Sequence, residues 1–591
     1  MKIRTLILAA LIGASAICAS AQEPWIHVYC TDKSEANKED PNNHGGVGQY
    51  YSMPLSEVDS TRFSKLASNG RFNRMRVHGQ NKDINVLMRY ITGIKIAPNT
   101  PSFHINITDD PQLNDVESKE DYLSATLSVD GMGVFDDFEG EIQVRGRGNS
   151  TWNYPKKPYR IKLPSKESIC GFTKAKNYVL LANYIDPTMM RSAVASMAAQ
   201  YAGMPYPTHS TPVDVYFNKN YKGSYTLTEK VGFNNGSINL SKTDEENAIL
   251  FELDTNFDED LRACSKHFRL PIVVKDPDAP EDPIAAQEWF EEWLMDFDAM
   301  EYAVKQGENI EDHIDYNDLA RFLLVFNLAA NQELNHPKSI YLYKVLGDKW
   351  HFGPCWDFDW AYGYQPTYRR AQSDSEIDEA TAKQMIADLL KYIEDNNIVQ
   401  YYYFQYNGDW FIWFGGTTFA QELPNGELNF NWPYGSISYL PSYENFLLGD
   451  GKNNQNTANG MGNGGEFFMS IVMNNPEFLA AYKSAWEEFK NNLPAFWADF
   501  DSYAASLEPT AARNSTIWPS SNNSAIDSEF SEFNDGTHKG AVQILRKWLE
   551  KRIEFMDRED CNYGLWDPNT TYQRGTILYE SYNPTSENEK K

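Results

Sequence analysis

Between residues 101 and 282 polar and apolar positions alternate with a period of two, the mark of half-buried strands. "SATLSVDG" alternates and then turns at Asp130-Gly131, and "EIQVRGRG" returns as the second arm of a hairpin. In "KKPYRIKL" the alternation sets Tyr159, Ile161 and Leu163 on one face and Arg160 and Lys162 on the other. "NYVLLANY" and "AILFELD" read as further strands, and "PVDVYFNKNYKGSYTLTEKV" as a hairpin turning between Asn218 and Gly223. One helix is predicted here, through "PTMMRSAVASMAAQYAG", with Pro187 suited to its first turn and Gly203 to its stop. After about Pro283 the period becomes helical. "QEWFEEWLMDFDAMEYAV" has apolar residues at helical spacing, and "DYNDLARFLLVFNLAANQE" opens on Asp315 with Asp318 three residues on, close to a capping box. "SIYLYKV" and "KWHFGPCWDFDW" then predict a hairpin turning at Gly347-Asp348, and two C-terminal helices follow. The predicted class is α+β: a β-rich half, then a helical half carrying one late hairpin.

The flanks differ in character. Met1 to Ala21 has a basic start, a short apolar run and a small-residue exit, the pattern of a secretory signal peptide and too short for a membrane span. Residues 22–100 are turn-rich, with "FNRMRVHG" as a short strand. Residues 365–465 read as an insertion: a helical stretch, an aromatic series with Trp410, Trp413 and Trp432, and the Asn/Gly-rich "GDGKNNQNTANGMGNGG". Those aromatics suit packing in a small subdomain, and they equally suit stacking on the rings of a glycan. The helical half resumes over 466–561, and 562–591 form a polar tail.

Charge and cysteine content narrow the function classes. A net charge of -29 argues against nucleic acid and anionic lipid as partners. Beyond the leader the cysteines are Cys30, Cys170, Cys264, Cys355 and Cys561, with no C-x-x-C pair to hold zinc. No H-E-x-x-H or G-x-S-x-G occurs, which leaves zinc-protease and serine-hydrolase chemistry without their motifs. What remains is "PCWDFDWAYG", where Asp357 and Asp359 stand among Trp356, Phe358 and Trp360. Buried carboxylates need a partner, a hydrogen bond or a metal. A strand with a wet acidic face and a cation site held by aromatic packing are both consistent with the pattern.

Four blocks in series, "VRGRGNSTWNYPKKPYRIKL", "NYVLLANYIDPTMMRSAVA", "VDVYFNKNYKGSYTLTEKV" and "HFGPCWDFDWAYG", resemble the signature blocks of the spore-coat protein H (CotH) kinase family in its secreted bacterial form. The resemblance runs from about Pro101 to Asp560, interrupted by the insertion. It implies a two-lobed, atypical protein-kinase-like core over 101–364 that continues after the insertion. It further implies ATP with Mg2+ or Mn2+ as cofactors and transfer of phosphate to Ser or Thr of a protein acceptor. Residue by residue, it implies Asp357 as the main metal ligand, with Asp359 in support. Ser339 stands where the family usually has a metal-binding Asn, and Glu333, or Leu334 if the register shifts by one, where it has the catalytic Asp. Lys162 would act as a kinase β3 lysine, Arg147 would sit in the preceding glycine-rich turn, and Glu229 would partner the lysine or line the cleft. The departures at Glu333 and Ser339 favour the alternative of a non-catalytic binding module for glycan or protein. The expected product is an exported protein, periplasmic, at the cell surface or secreted.

Overall fold

The computed structural model describes residues 25–30, 50–65, 72–80, 83–88, 91–97, 100–132, 134–256, 259–334, 337–363, 401–406, 409–414, 463–472, 475–518, 528–557, 564–565 and 578–579. The leader, Trp432, residues 449–462 of the Asn/Gly-rich stretch and most of the tail lie outside them, while Asn463, Gly464 and Gly465 open a helix. The chain divides into two compact units, one comprising 1–184, 211–228 and 501–520, the other 185–210, 229–500 and 521–591. Among the described residues no helix is long and apolar enough to cross a membrane.

The first unit is β-structure. The N-terminal region, read as rich in strands and turns, forms two three-stranded sheets, β1 (Trp25–Cys30), β2 (Tyr50–Pro54) and β6 (Ile91–Ala97) in one, β3 (Val58–Lys65), β4 (Phe72–Gly79) and β5 (Asp83–Leu87) in the other. They share a core of Ile26, Val28, Met53, Met75, Val77, Ile84 and Val86. The strands then close into a seven-stranded barrel, ordered β10-β11-β13-β12-β7-β8-β9. Its strands are β7 (Ser102–Ile107), β8 (Leu123–Asp130), β9 (Phe138–Gly146), β10 (Tyr159–Glu167), β11 (Ala175–Leu181), β12 (Thr211–Phe217) and β13 (Asn220–Glu229). Closure removes the exposed edges that an open sheet must protect. The predicted alternation holds in β10: Tyr159, Ile161 and Leu163 are buried in the barrel core, while Arg160 and Lys162 alternate with them. The β12–β13 turn falls on Asn218 and Lys219, both at positive φ (45° and 72°), as a two-residue hairpin turn requires.

Lys156 is the unexpected feature of this unit. Its side chain is 1% exposed, its amine donates to the Ser224 carbonyl and to Asn514 Oδ1 (3.0 Å), and it sits 4.5 Å from the centre of the Tyr225 ring. Burial pulls its pKa down to about 7, with Asp214 pulling the other way. An unfolded Lys156 would hold its proton to about pH 10, so the unfolded chain binds more protons from about pH 7 upward and stability rises with pH in that window. Urea unfolding of the wild type should therefore strengthen from pH 7 to 9 by up to about 1.4 kcal/mol per pH unit. Lys156→Met should flatten that slope, and an unchanged slope in the variant would remove Lys156 as its source.

The second unit combines a sheet with helices. The sheet is ordered β15-β16-β14-β17-β18, all pairings antiparallel, from β14 (Ala248–Leu253), β15 (Arg262–Cys264), β16 (Pro271–Asp276), β17 (Ile340–Val345) and β18 (His351–Phe352). The helices are α1 (Arg191–Tyr201), α2 (Pro283–Gln306), α3 (Tyr316–Ala329), α4 (Asn463–Val472), the 42-residue α5 (Pro476–Ile517), whose last turns belong to the first unit, and α6 (His538–Asp557). Asp315 caps α3 as expected, its Oδ1 accepting from the Asn317 and Asp318 amides at 2.9 and 3.0 Å. Helix α1 starts four residues later than predicted. Asp186 draws the chain into a turn first, accepting from the Thr188 amide and hydroxyl and the Arg191 amide, and pairing with the Arg191 guanidinium. A further hairpin, β19 (Tyr401–Tyr406) with β20 (Asp409–Phe414), lies in the segment read as an insertion.

Candidate active site

The expected second arm of the late hairpin is corrected by the structure. Strand β18 stops at Phe352, and "GPCWDFDW" is a loop in which Asp357 takes φ +66°. Alternation therefore does not set the two carboxylates side by side. Aromatic packing holds the loop instead: Phe358 is 1% exposed with its ring 4.8 Å from that of Phe326 on α3, and Trp356 packs on the cluster that includes Val231 and Phe233.

The site forms at one end of the five-stranded sheet. Leu253 of β14 pairs with Ile340 of β17, so Asp254, the next residue, lies opposite Ser339. Past the sheet the two segments stay joined, the Thr255 amide donating to the Pro337 carbonyl at 3.1 Å. The Ser339 hydroxyl donates to Asp357 Oδ2 at 3.3 Å, which brings the loop to the same end. Asn331, buried just beyond α3, ties the third segment in. Its amide group donates to the Asp357 carbonyl (3.1 Å), and its Oδ1 accepts from the Glu333 amide (3.1 Å). Ala330, Ser339 and Asp357 all have left-handed backbones, at φ +47°, +54° and +66°. Each costs of order 1–2 kcal/mol for a residue with a side chain, and such strain collects at functional sites.

Charge is unbalanced here. Asp254, Glu333, Asp357 and Asp359 face Lys338, whose ammonium is favoured by Glu333, Asp357, Asp254 and Asp359 against its own burial, so that its pKa is raised. Burial, and then the charge of Asp357, push Glu333 well above the carboxylate range, with Lys338 opposing. Burial and Asp357 do the same to Asp359, which also feels Asp186 and is eased by Lys338 and Arg191. Glu333 Oε2 is buried with no hydrogen-bond partner. A cluster short of positive charge, with an orphaned carboxylate oxygen and only oxygen donors, has the chemistry of a hard divalent cation site.

Thus the structure places Asp357, Ser339 and Glu333 together, and Asp359 stands within electrostatic reach. The other expected residues are elsewhere. Lys162 is on β10 in the first unit, its amine 5.7 Å from the centre of the Tyr122 ring, and Arg147 follows β9 in the same unit, its amide donating to the Pro158 carbonyl. Glu229 ends β13, and its Oε1 accepts from His209 Nδ1 at 3.1 Å, a contact that raises the histidine pKa. Asp254 was missed because nothing in "FELDTN" marks the last strand residue as the neighbour of Ser339. Asp186 and Arg191 were visible only as part of a signature block.

Residues 144–407 match the model of a protein family described as CotH kinase protein. The match contains Asp254, Glu333, Lys338, Ser339, Asp357 and Asp359, and continues into the segment that begins at 365. No curated protein matches the chain.

Proposed function

We propose, on the match of residues 144–407 to the CotH kinase protein family, that the chain is an exported, ATP- and metal-binding kinase-like protein whose phosphotransfer step is slow. The observation that carries this reading is the cluster of Asp254, Glu333, Asp357 and Asp359 against one lysine, with Glu333 Oε2 unpartnered. Asp357 and Ser339, with Asp359 in support, would hold Mg2+ or Mn2+. A divalent cation bound there supplies neutralisation of the charge on phosphate oxygens, which is most of what phosphoryl transfer asks of a protein.

The chain's own residues define the rest. Asn331 fixes the Asp357 loop to the Glu333 turn, so that the carboxylates are preorganised. Lys338 offers a cation beside them. Burial and then the charge of Asp357 raise the pKa of Glu333, at the family's catalytic Asp position, which favours its protonated form and opposes its service as a base. Its extra methylene also shifts the carboxylate on the scale at which misplacement costs about a hundredfold in rate. Binding survives such losses better than catalysis does, because alignment matters most in the transition state. The kinase-like reading takes the barrel as the β-rich lobe and the sheet-and-helix unit as the larger one. The acceptor would be Ser or Thr of a protein.

Transfer of label from the γ-phosphate of ATP, to the protein itself and to casein, tests the reading. The wild type with Mn2+ should be slow, and Glu333→Asp with Ser339→Asn should raise the rate at least tenfold. Fast wild-type transfer, unchanged by Glu333→Gln, would contradict the role given to Glu333.

A further inference from the structure

The start of α3 meets strand β18 in a second group of metal-ligating side chains, set apart from the acidic cluster already described. Asp315, Asp318 and His351 each offer a ligand atom, and these atoms lie within 4.8 Å of one another. Asn331 and Glu333 follow the other end of the same helix, and the rise of an α-helix puts about 20 Å between its two ends. Backbone bonds hold the group in place. The Asp315 amide donates to the Trp350 carbonyl at 3.0 Å, the Trp350 amide donates to the His313 carbonyl at 2.7 Å, and Ile314 forms a bridge with Trp350. His351 follows directly, with its ring stacked on that of Tyr343 at 5.0 Å, which fixes the imidazole plane.

The imidazole stands between two acceptors. Its Nδ1 is 2.6 Å from Asp318 Oδ2, and its Nε2 is 3.4 Å from Asp348 Oδ2. A neutral imidazole has a single N–H, so one of its nitrogens turns a lone pair toward a carboxylate oxygen. The carboxylates keep spare lone pairs as well. Asp315 spends Oδ1 on the two amides that it caps, and among the described residues nothing donates to its Oδ2. Nothing donates to Asp318 Oδ1 either, on a side chain only 11% exposed. Water screens Asp348, which is 58% exposed, but it reaches Asp318 poorly. Among the described residues no lysine or arginine pairs with any of the three carboxylates. The positive end of α3 supplies only about half a unit charge. Two carboxylates and an imidazole therefore converge with less positive charge than a buried carboxylate requires.

We propose that Asp315, Asp318 and His351 bind a first-row divalent transition cation, with Zn2+ preferred, and that Asp348 or water completes its shell. The ring nitrogen sets the preference, since Mg2+ and Ca2+ seek oxygen donors while imidazole suits Zn2+. Zinc holds such donors at about 2 Å, so small side-chain rotations close the set around one ion. The ion ties the β17–β18 hairpin to α3, the helix whose far end positions Asn331. This site needs neither nucleotide nor phosphotransfer, and it stands or falls apart from the Asp357 cluster.

Calorimetric titration of the full chain with Zn2+, in excess Mg2+, tests it. Zn2+ should bind, its affinity should fall at least tenfold in Asp315→Asn and in His351→Gln, and it should stay within twofold in Asp357→Asn. Asparagine caps a helix as well as aspartate does, so Asp315→Asn keeps the start of α3 while removing a ligand charge. Circular dichroism melts check this: without metal Asp315→Asn should melt like the wild type, and added Zn2+ should raise the Tm of the wild type alone. No Zn2+ binding, or equal affinity in the wild type, Asp315→Asn and His351→Gln, overturns the proposal. Loss of Zn2+ binding in Asp357→Asn with retention in His351→Gln overturns it too, because the ion then belongs to the other cluster.

Discussion

Arg552→Met is expected to lower the stability of the sheet-and-helix unit by about 2–4 kcal/mol. Arg552 on α6 is wholly buried, and its Nε and Nη2 donate to the Asn327 carbonyl at 2.9 and 2.6 Å. That carbonyl is in the last turn of α3, where backbone acceptors have no partner within the helix and a positive charge is favoured. Charge-assisted hydrogen bonds are worth about 1.5–3 kcal/mol each, and part of that gain is offset by the desolvation of the guanidinium. Methionine keeps much of the volume but leaves the Asn327 carbonyl with the Ala330 amide (3.1 Å) in place of the charged donor. The consequence reaches the site, because Asn331 stands just beyond the same helix end. Urea unfolding of wild type and variant measures the loss, and a change below about 0.5 kcal/mol, the range of an ordinary surface substitution, would contradict it.

The elements with strong periodicity were legible in the sequence. Helices α2 and α3 and strands β8 and β10 lie where helical spacing or alternation put them, and β14 and β17, buried on both faces, lie where short apolar runs put them. Closure of the barrel was not legible, since it depends on the parallel pairing of β7 with β12, more than a hundred residues apart. The aromatic frame of Asp357 read as a strand because Trp356, Phe358 and Trp360 alternate with the carboxylates. Left-handed backbone at Asp357 breaks the alternation, and aspartate gives no sign of it in advance. At the site, Glu333, Ser339 and Asp357 were legible through the family's motifs. Asp254 was not, because its place depends on the register of β14 against β17.

Asp357→Asn should weaken metal-dependent nucleotide binding at least a hundredfold, and Asp359→Asn by much less. Asp357 takes the Ser339 hydroxyl on its carboxylate and is fixed by Asn331 through its carbonyl, so its geometry is set before any ligand arrives. Burial and then the charge of Asp357 raise the pKa of Asp359, which makes it the poorer ligand of the two. Asparagine keeps the shape and a carbonyl oxygen at both positions, so the fold should persist. Because Glu333 and Asp359 are raised, their contribution to stability is present at low pH and fades as pH rises through their folded values. A bound divalent cation should offset that loss, and its affinity should increase with pH.

Calorimetric titration of the wild-type chain with ATP, in the presence and absence of Mg2+ or Mn2+, tests the central claim most directly. The account predicts binding with the metal that weakens at least a hundredfold in Asp357→Asn. No ATP binding under any metal condition, or equal binding in wild type and Asp357→Asn, would contradict it.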